Sequence, residues 1–461
     1  MKRVLIVSDD TVGTKMAGPA VRDWEYARVL SRHCRVTLAV PNESDLAPSD
    51  FQLRRYDSAE AAQAMAADSD VVITSGYMLK RLAFLKTLSV PLVLTLSHSF
   101  VLENLQRLVS DGVSQENQWP VFGDNVTVLN EQLAVGDFFV CNSERQRDYW
   151  LGMLAALGRV NPATYADDPS VRHLIDVVPY GLPDEPPQHR RQVLKGVYKG
   201  IAPDAQVLFW GGLYDWLDPL TLIRAMPRVL EKRPTAVVFF AGTRHPSPNV
   251  VEVSPVCRQA MRLSDELDLT DRHIYFHDWI PYQDRENYLL EADLGMSLHL
   301  EHVETRFAFR SRILDYIWTG LPIIASEGDT ASELVRQHQL GAVVGYQDVD
   351  GVAQAILDLL SRNNLKADLA PRFARLAQAY RWEQTLRPLV EFCRAPRLAS
   401  DREVRWSPAR LVSPTSAAKP WSPPARSWSG RWVKAQRSLR QGGLKALARE
   451  ILHYLLWKLE R

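Results

Sequence analysis

From Val303 to Ser326 the chain reads VETRFAFRSRILDYIWTGLPIIAS, which places Arg306, Arg310, Arg312 and the single acid Asp315 ahead of an apolar run bounded by Gly-Leu-Pro. Guanidinium groups match phosphate oxygens through paired hydrogen bonds. The pattern predicts a helix from about Ala308 to Trp318, and the open N–H groups of its first turn would add to an anion site. Arg306 and Arg310 flank that start, Arg312 follows half a turn on, and Asp315 can accept hydrogen bonds from sugar hydroxyls. The chemistry suggested is the binding of a ligand that carries both phosphate and hydroxyl groups. A surface helix with scattered charge would produce the same pattern.

Other residues suit the same kind of ligand. His98 ends the apolar run VLTLSH. Gly18, in MAGP, lacks the Cβ that would keep a ligand from the backbone, although a Gly-Pro pair is also simply a turn. Tyr214 and Trp216 can stack on a sugar, or serve as core residues with a polar tip. HLEHVE, from His299 to Glu304, has metal-binding residue types without the one-face spacing of a helical site, so no metal is expected there.

The elements that must position these residues form a repeating pattern. RVLIVSDD, a Gly-Pro turn, a helical stretch from Ala20 to His33 and RVTLAV make a β-α-β unit. DVVITSG, PLVLTLSH and DFFVCNS continue it as buried parallel strands. After DVVPYGLPDEPP the pattern restarts with QVLFWGG, AVVFFAG, HIYFHD, LGMSLHL and LPIIAS. Two doubly wound Rossmann-like domains are therefore expected, residues 1–187 and 188–380, facing across a cleft with ligands at the carboxyl ends of the strands.

Composition sets outer bounds. The formal net charge of +1 over 461 residues carries no nucleic-acid signature. Cys34, Cys141, Cys257 and Cys393 stand far apart with no CxxC pair, which fits reduced thiols and a cytosolic setting. Neither a signal peptide nor a run of 18 apolar residues is found. Residues 395–430, rich in Pro, Ser, Ala and Arg, read as an extended linker. In 431–461, eight Lys or Arg face two Asp or Glu, and Leu447, Ile451, Leu452, Leu455 and Leu459 share a helical face. Such a basic amphipathic helix suits an anionic membrane surface, or docking on protein.

RSRILDYIWTGLPIIAS, MAGPAVRDWEYARVL, VLTLSHSF, DVVPYGLP, GGLYDWLDPLTLIRAM and YRWEQTLRPLVEF, in their order along residues 1–394, resemble the retaining glycosyltransferases of the GT-B fold, family 4 type. The resemblance implies sugar transfer from a nucleoside diphosphate sugar with retention, without a divalent cation or other cofactor. The acceptor would be a glycan or lipid-linked, as in cell-surface polysaccharide synthesis. Residues 381–394 would be the closing helix that crosses back to the first domain. Gly18 matches the loop approached by the diphosphate, and His98 a histidine that contacts the donor sugar. Gly212 and Leu217 stand where the family commonly has a diphosphate-binding Arg and Lys. Of two glutamates eight positions apart, the second falls at Asp315 and the first at Phe307, so Glu304 is the nearest carboxylate for the sugar. The three arginines are then expected to supply the missing diphosphate charge from another wall. A catalytically weak assembly partner of the same fold, or a nucleotide-sugar epimerase, fits the same residues.

Overall fold

The computed structural model describes residues 1–110, 114–247 and 253–403. The basic helix expected over 431–461, and the linker beyond residue 403, lie outside the described residues.

The first sheet contains β1 (Arg3–Val7), β2 (Arg35–Val40), β3 (Gln52–Arg55), β4 (Val71–Ser75), β5 (Leu92–Thr95), β6 (Phe138–Cys141) and β7 (Ile175–Val177). Their order is β3-β2-β1-β4-β5-β6-β7, parallel throughout. The second contains β8 (Gln206–Gly212), β9 (Ala236–Gly242), β10 (Ile274–Phe276), β11 (Leu294–Ser297), β12 (Ile323–Ser326) and β13 (Gly341–Val344), in the order β10-β9-β8-β11-β12-β13. Strand order reverses between β1 and β4 and again between β8 and β11. These switch points are where open parallel sheets leave a crevice at their carboxyl ends. Two Rossmann-like layers of the kind the sequence predicts are thus present. Three strands went unread: β3, β7 and β13, all at sheet edges, where short and partly polar sequences suffice because one side has no neighbour. By contrast every residue of β9, AVVFFAG, is buried.

The predicted single helix from Ala308 to Trp318 is a correction. Val303–Phe307 and Arg312–Thr319 are separate helices, broken by an irregular turn at Ala308 to Ser311. The second ends where Gly320 takes the left-handed conformation, φ 65°, with its N–H returning to Ile317 O and Tyr316 O, and the chain turns directly into β12.

At Leu182 the chain lies beside its own later part: Leu182 N–H donates to Tyr380 O (2.7 Å), and Trp382 N–H to Leu182 O (2.9 Å). Helices Trp382–Thr385 and Arg387–Arg394 then place Trp382, Leu389, Phe392 and Cys393 in the core of the first domain. Phe392 stacks on Phe138 with centroids 4.6 Å apart. The linker expectation is corrected at its start, because residues 395–403 dock on the same domain. Asp401 is fully buried and pairs with Arg159 at 2.7 Å, Arg402 pairs with Asp137, and Ala399 N–H donates to Asp137 Oδ1 (3.1 Å). Buried ion pairs hold this stretch, and a composition-based reading cannot see pairing. All four cysteines are buried and free.

Candidate functional site

A cavity of about 440 Å³ opens between the carboxyl ends of the two sheets. From the first domain it takes Gly18 at the start of helix Gly18–Leu30, the Ser97-His98-Ser99 turn after β5, and Glu103. From the second it takes Gly212 at the end of β8, Glu304 and Phe307, and the Arg310 to Asp315 segment that leads into helix Arg312–Thr319. Of the eight residues singled out as site candidates, Gly18, His98, Gly212, Glu304, Arg310, Arg312 and Asp315 come together here. Arg306 does not. It is exposed on its short helix outside the cavity, and its carbonyl accepts from Arg145 Nη1 across the domain boundary (3.4 Å). The break in the helix turns Arg306 away from the wall that carries Arg310 and Arg312.

The two remaining arginines differ in what already holds them. Arg310 is buried and grips Glu304 with both terminal guanidinium nitrogens, Nη1 to Oε1 at 3.0 Å and Nη2 to Oε2 at 2.6 Å, while its Nε, 3.7 Å from Asp329, has no hydrogen-bond partner. Its charge is answered within the protein. Arg312 donates through Nη2 to the carbonyl of Gly212 (2.8 Å) and lies over the Trp210 ring at 5.6 Å. Its Nη1 is buried without a hydrogen-bond partner. Burial pulls this guanidinium below its usual range, since desolvation disfavours the charged form. A buried donor left open costs free energy unless a ligand completes it. Gly212 is itself tightly placed, because a Cβ there would meet the Tyr214 ring at 3.0 Å. Tyr214 in turn stacks on Trp216, 5.0 Å away and 3° from parallel.

Glu304 is 1 % exposed with both oxygens held by Arg310. Burial pushes its carboxyl above the usual range, and the Arg310 guanidinium opposes that shift without cancelling it. Glu304, the carboxylate expected nearest the sugar, thus borders the cavity as half of an ion pair. Leu217, where the family commonly has a cation, is 1 % exposed in the second core.

Asp315 keeps its place at the wall but has a partner the sequence reading missed. Arg285 Nε donates to Asp315 Oδ1 at 3.1 Å, and its guanidinium lies over Tyr282 at 3.8 Å and Trp318 at 4.8 Å. In YQDRENY it looks like an ordinary surface charge at a helix start, and no local signal marks it. Glu103 was missed as well. Its carboxylate Oε1 stands 3.3 Å from His98 Nδ1, and it borders the same cavity. The spacing of five from His98 across a helix start is a signal that could have found it. Trp279 and His245, whose rings lie 5.8 Å apart, complete the far side.

Among the described residues, no group of three or more His, Cys, Asp or Glu is placed to hold a metal ion, and no helix is long and apolar enough to cross a membrane.

Residues 204–362 match the family model described as glycosyl transferases group 1. No curated protein matches the chain in sequence. Several solved structures share the fold. Sucrose-phosphate synthase from Thermosynechococcus elongatus is 16% identical over 86% of this chain and 98% of its own, with a TM-score of 0.63. Anabaena HepE, solved in complex with UDP-glucose, is 14% identical over 85% of this chain and 99% of its own, at 0.57. WaaG, a glycosyltransferase involved in lipopolysaccharide biosynthesis, is 13% identical over 85% of this chain and 100% of its own, at 0.55. The resemblance read from the motifs is thereby met in fold: the chain is a two-domain GT-B protein, and residues 204–362 of its second domain match the glycosyl transferases group 1 model.

Proposed function

We propose that this protein transfers a sugar from a nucleoside diphosphate sugar to a hydroxyl of a glycan or lipid-linked acceptor. The observation that carries the reading is Arg312, a half-buried residue whose Nη1 is a buried open donor, set beside Gly212 at the switch point of the second sheet. A diphosphate lying along Gly212 would complete that donor. It would also meet the first turn of helix Arg312–Thr319, which has no side-chain cap. Asp315, oriented by Arg285, accepts from the ribose hydroxyls. The nearby aromatic walls suit flat and hydroxylated rings. HepE, of the same fold, was solved with UDP-glucose, which favours a uridine diphosphate donor as the first to try.

In the reaction the bond from the anomeric carbon to the diphosphate oxygen breaks, and a bond to the acceptor oxygen forms. Negative charge gathers on the leaving phosphate, where Arg312 and the positive end of helix Arg312–Thr319 stabilise it. The acceptor's proton passes to the leaving phosphate on the same face, giving retention without a divalent cation. Of the three arginines expected to supply diphosphate charge, Arg312 is the one assigned that role. The setting we propose is cell-surface polysaccharide synthesis, in line with WaaG of the same fold, which is involved in lipopolysaccharide biosynthesis; the basic sequence of residues 431–461 suits the anionic cytoplasmic face of a membrane. Removing residues after Gly430 is expected to abolish flotation with anionic vesicles while leaving donor hydrolysis intact; unchanged flotation would remove the tail from this role.

A second reading is favoured by a specific observation. Leu217 and Gly212 lack the cationic side chains common in the family, and the Glu304 carboxylate is tied to Arg310. A nucleotide- or glycan-binding assembly partner with weak catalysis fits those features. Melting shifts and hydrolysis measured across UDP, GDP, ADP and dTDP sugars, beside Arg312→Ala and Asp315→Ala, separate the two. A single donor that raises the melting temperature, is slowly hydrolysed and fails with both variants establishes the transferase. Stabilisation without turnover, even with added acceptors, supports the binding partner.

A further inference from the structure

Glu103 has no role in the reading so far, yet it stands at the centre of the cavity's acidic and imidazole groups. Its position follows from the turn after β5. Ser99 O accepts from the N–H groups of Leu102 (2.7 Å) and Glu103 (3.1 Å), which starts helix Phe100–Ser110 and brings Glu103 one turn on, back beside His98. The Glu103 side chain is 16% exposed and that of His98 is 53% exposed, so a sheltered carboxylate supports an imidazole open to the cavity. Arg310, His302 and Glu304 face the pair from the second domain. Burial raises the Glu103 carboxyl, but the neighbouring His98 and then the Arg310 guanidinium outweigh it and hold the group below its usual range.

An ionised carboxylate has no proton to donate. Its 3.3 Å contact with His98 Nδ1 therefore requires the hydrogen on Nδ1, and leaves the lone pair of the neutral ring on Nε2. We propose that Glu103 is a positioning residue, which holds His98 in the Nδ1-protonated tautomer so that Nε2 accepts a hydrogen bond from a sugar hydroxyl in the cleft. The sugar ligand rests on the proposed transferase reading, whereas the tautomer does not. The contact is at the long end for a hydrogen bond.

The deciding measurement is nitrogen-15 NMR of the histidine rings in the full chain above pH 7, with His98→Ala used to assign the signal. The wild type is expected to show the Nδ1-protonated pattern at His98. Glu103→Gln keeps the shape but replaces an acceptor-only group with an amide that both donates and accepts. It is expected to shift His98 toward the Nε2-protonated form. Finding Nε2 protonated in the wild type, or the same tautomer in both proteins, overturns the proposal. Kinetics form a second arm: Glu103→Gln should lower kcat for donor hydrolysis about tenfold with little change in KM or melting temperature. Loss of activity that only tracks loss of stability, with the tautomer unmoved, would make Glu103 a structural residue and also overturn it. A wild type that turns over no donor defeats the transferase reading, and the NMR result still decides the tautomer.

Discussion

The two domains meet at one cavity but complete their cores differently. The second domain buries one continuous apolar cluster, drawn from residues 182–376 and covering both faces of its sheet. The first domain has separate clusters on the two faces of its sheet, and one of them is closed by residues from the far end of the chain, Trp382, Leu386, Leu389, Val390, Phe392 and Cys393. A domain drawn as residues 1–187 therefore lacks part of its own interior. The walls differ too. The second presents charge, most of it neutralised in the pairs Arg310–Glu304 and Arg285–Asp315, with Arg312 left incomplete. The first presents backbone and polar groups around His98. On the proposed reading the second domain binds the charged donor on a self-contained scaffold, while the first depends on the chain end for its shape.

The strongest way to break that contrast is Trp382→Ala. Trp382 is fully buried, between Tyr26 and Tyr180, and a Cβ on Gly181 would already meet its ring at 2.4 Å. Truncation is expected to cost about 4 kcal/mol, read from the denaturant midpoint. If the first domain were independent of the chain end, the loss would be far smaller. Asp401→Ala tests the same dependence through electrostatics. Arg159 would keep its bonds to the carbonyls of Leu133, Ala134 and Gly136 but lose its buried counter-charge. About 3 kcal/mol of destabilisation is expected, in the same unfolding assay.

On the second wall, Arg312→Ala should lower kcat/KM by about 100-fold, close to 2.7 kcal/mol, the scale of losing one preorganised donor. Its stability should hold. Arg306→Ala should change neither quantity beyond about 0.5 kcal/mol, because that side chain is exposed outside the cavity. Equal losses in the two variants would erase the distinction drawn between them.

A further effect is expected with pH. Burial, reinforced by the positive charge of Arg310, pulls His302 down to about 4. An unfolded imidazole titrates near 6.5. With the folded value depressed, the unfolded chain takes up the proton first, so stability is lost as pH falls from about 6.5 toward 4. His302→Asn removes that contribution, and its melting temperature should fall about 2 °C less than that of the wild type between pH 7 and 5. An equal fall in both would show that His302 does not titrate across this interval.

Hydrophobic runs are local, and a parallel strand buried on both faces must be apolar along its length. For that reason β1, β2, β4 to β6 and β8 to β12 were legible in the residues, and so was the pairing of two doubly wound layers. Gly-Leu-Pro at 320–322 likewise marked a helix end, because a left-handed turn favours glycine. What the chain did not announce were properties of pairs distant in sequence. Arg285 finds Asp315 across 30 residues, Arg312 finds the Gly212 carbonyl across 100, and Arg159 finds Asp401 across 242. Whether a charge is free to meet a ligand or already neutralised depends on what folding brings within about 4 Å of it, and no local spacing encodes that. The sequence determined the layers and the residue types at their edges. Only the tertiary structure decided that Arg310 is occupied, Arg306 turned away, and Arg312 left with an open donor.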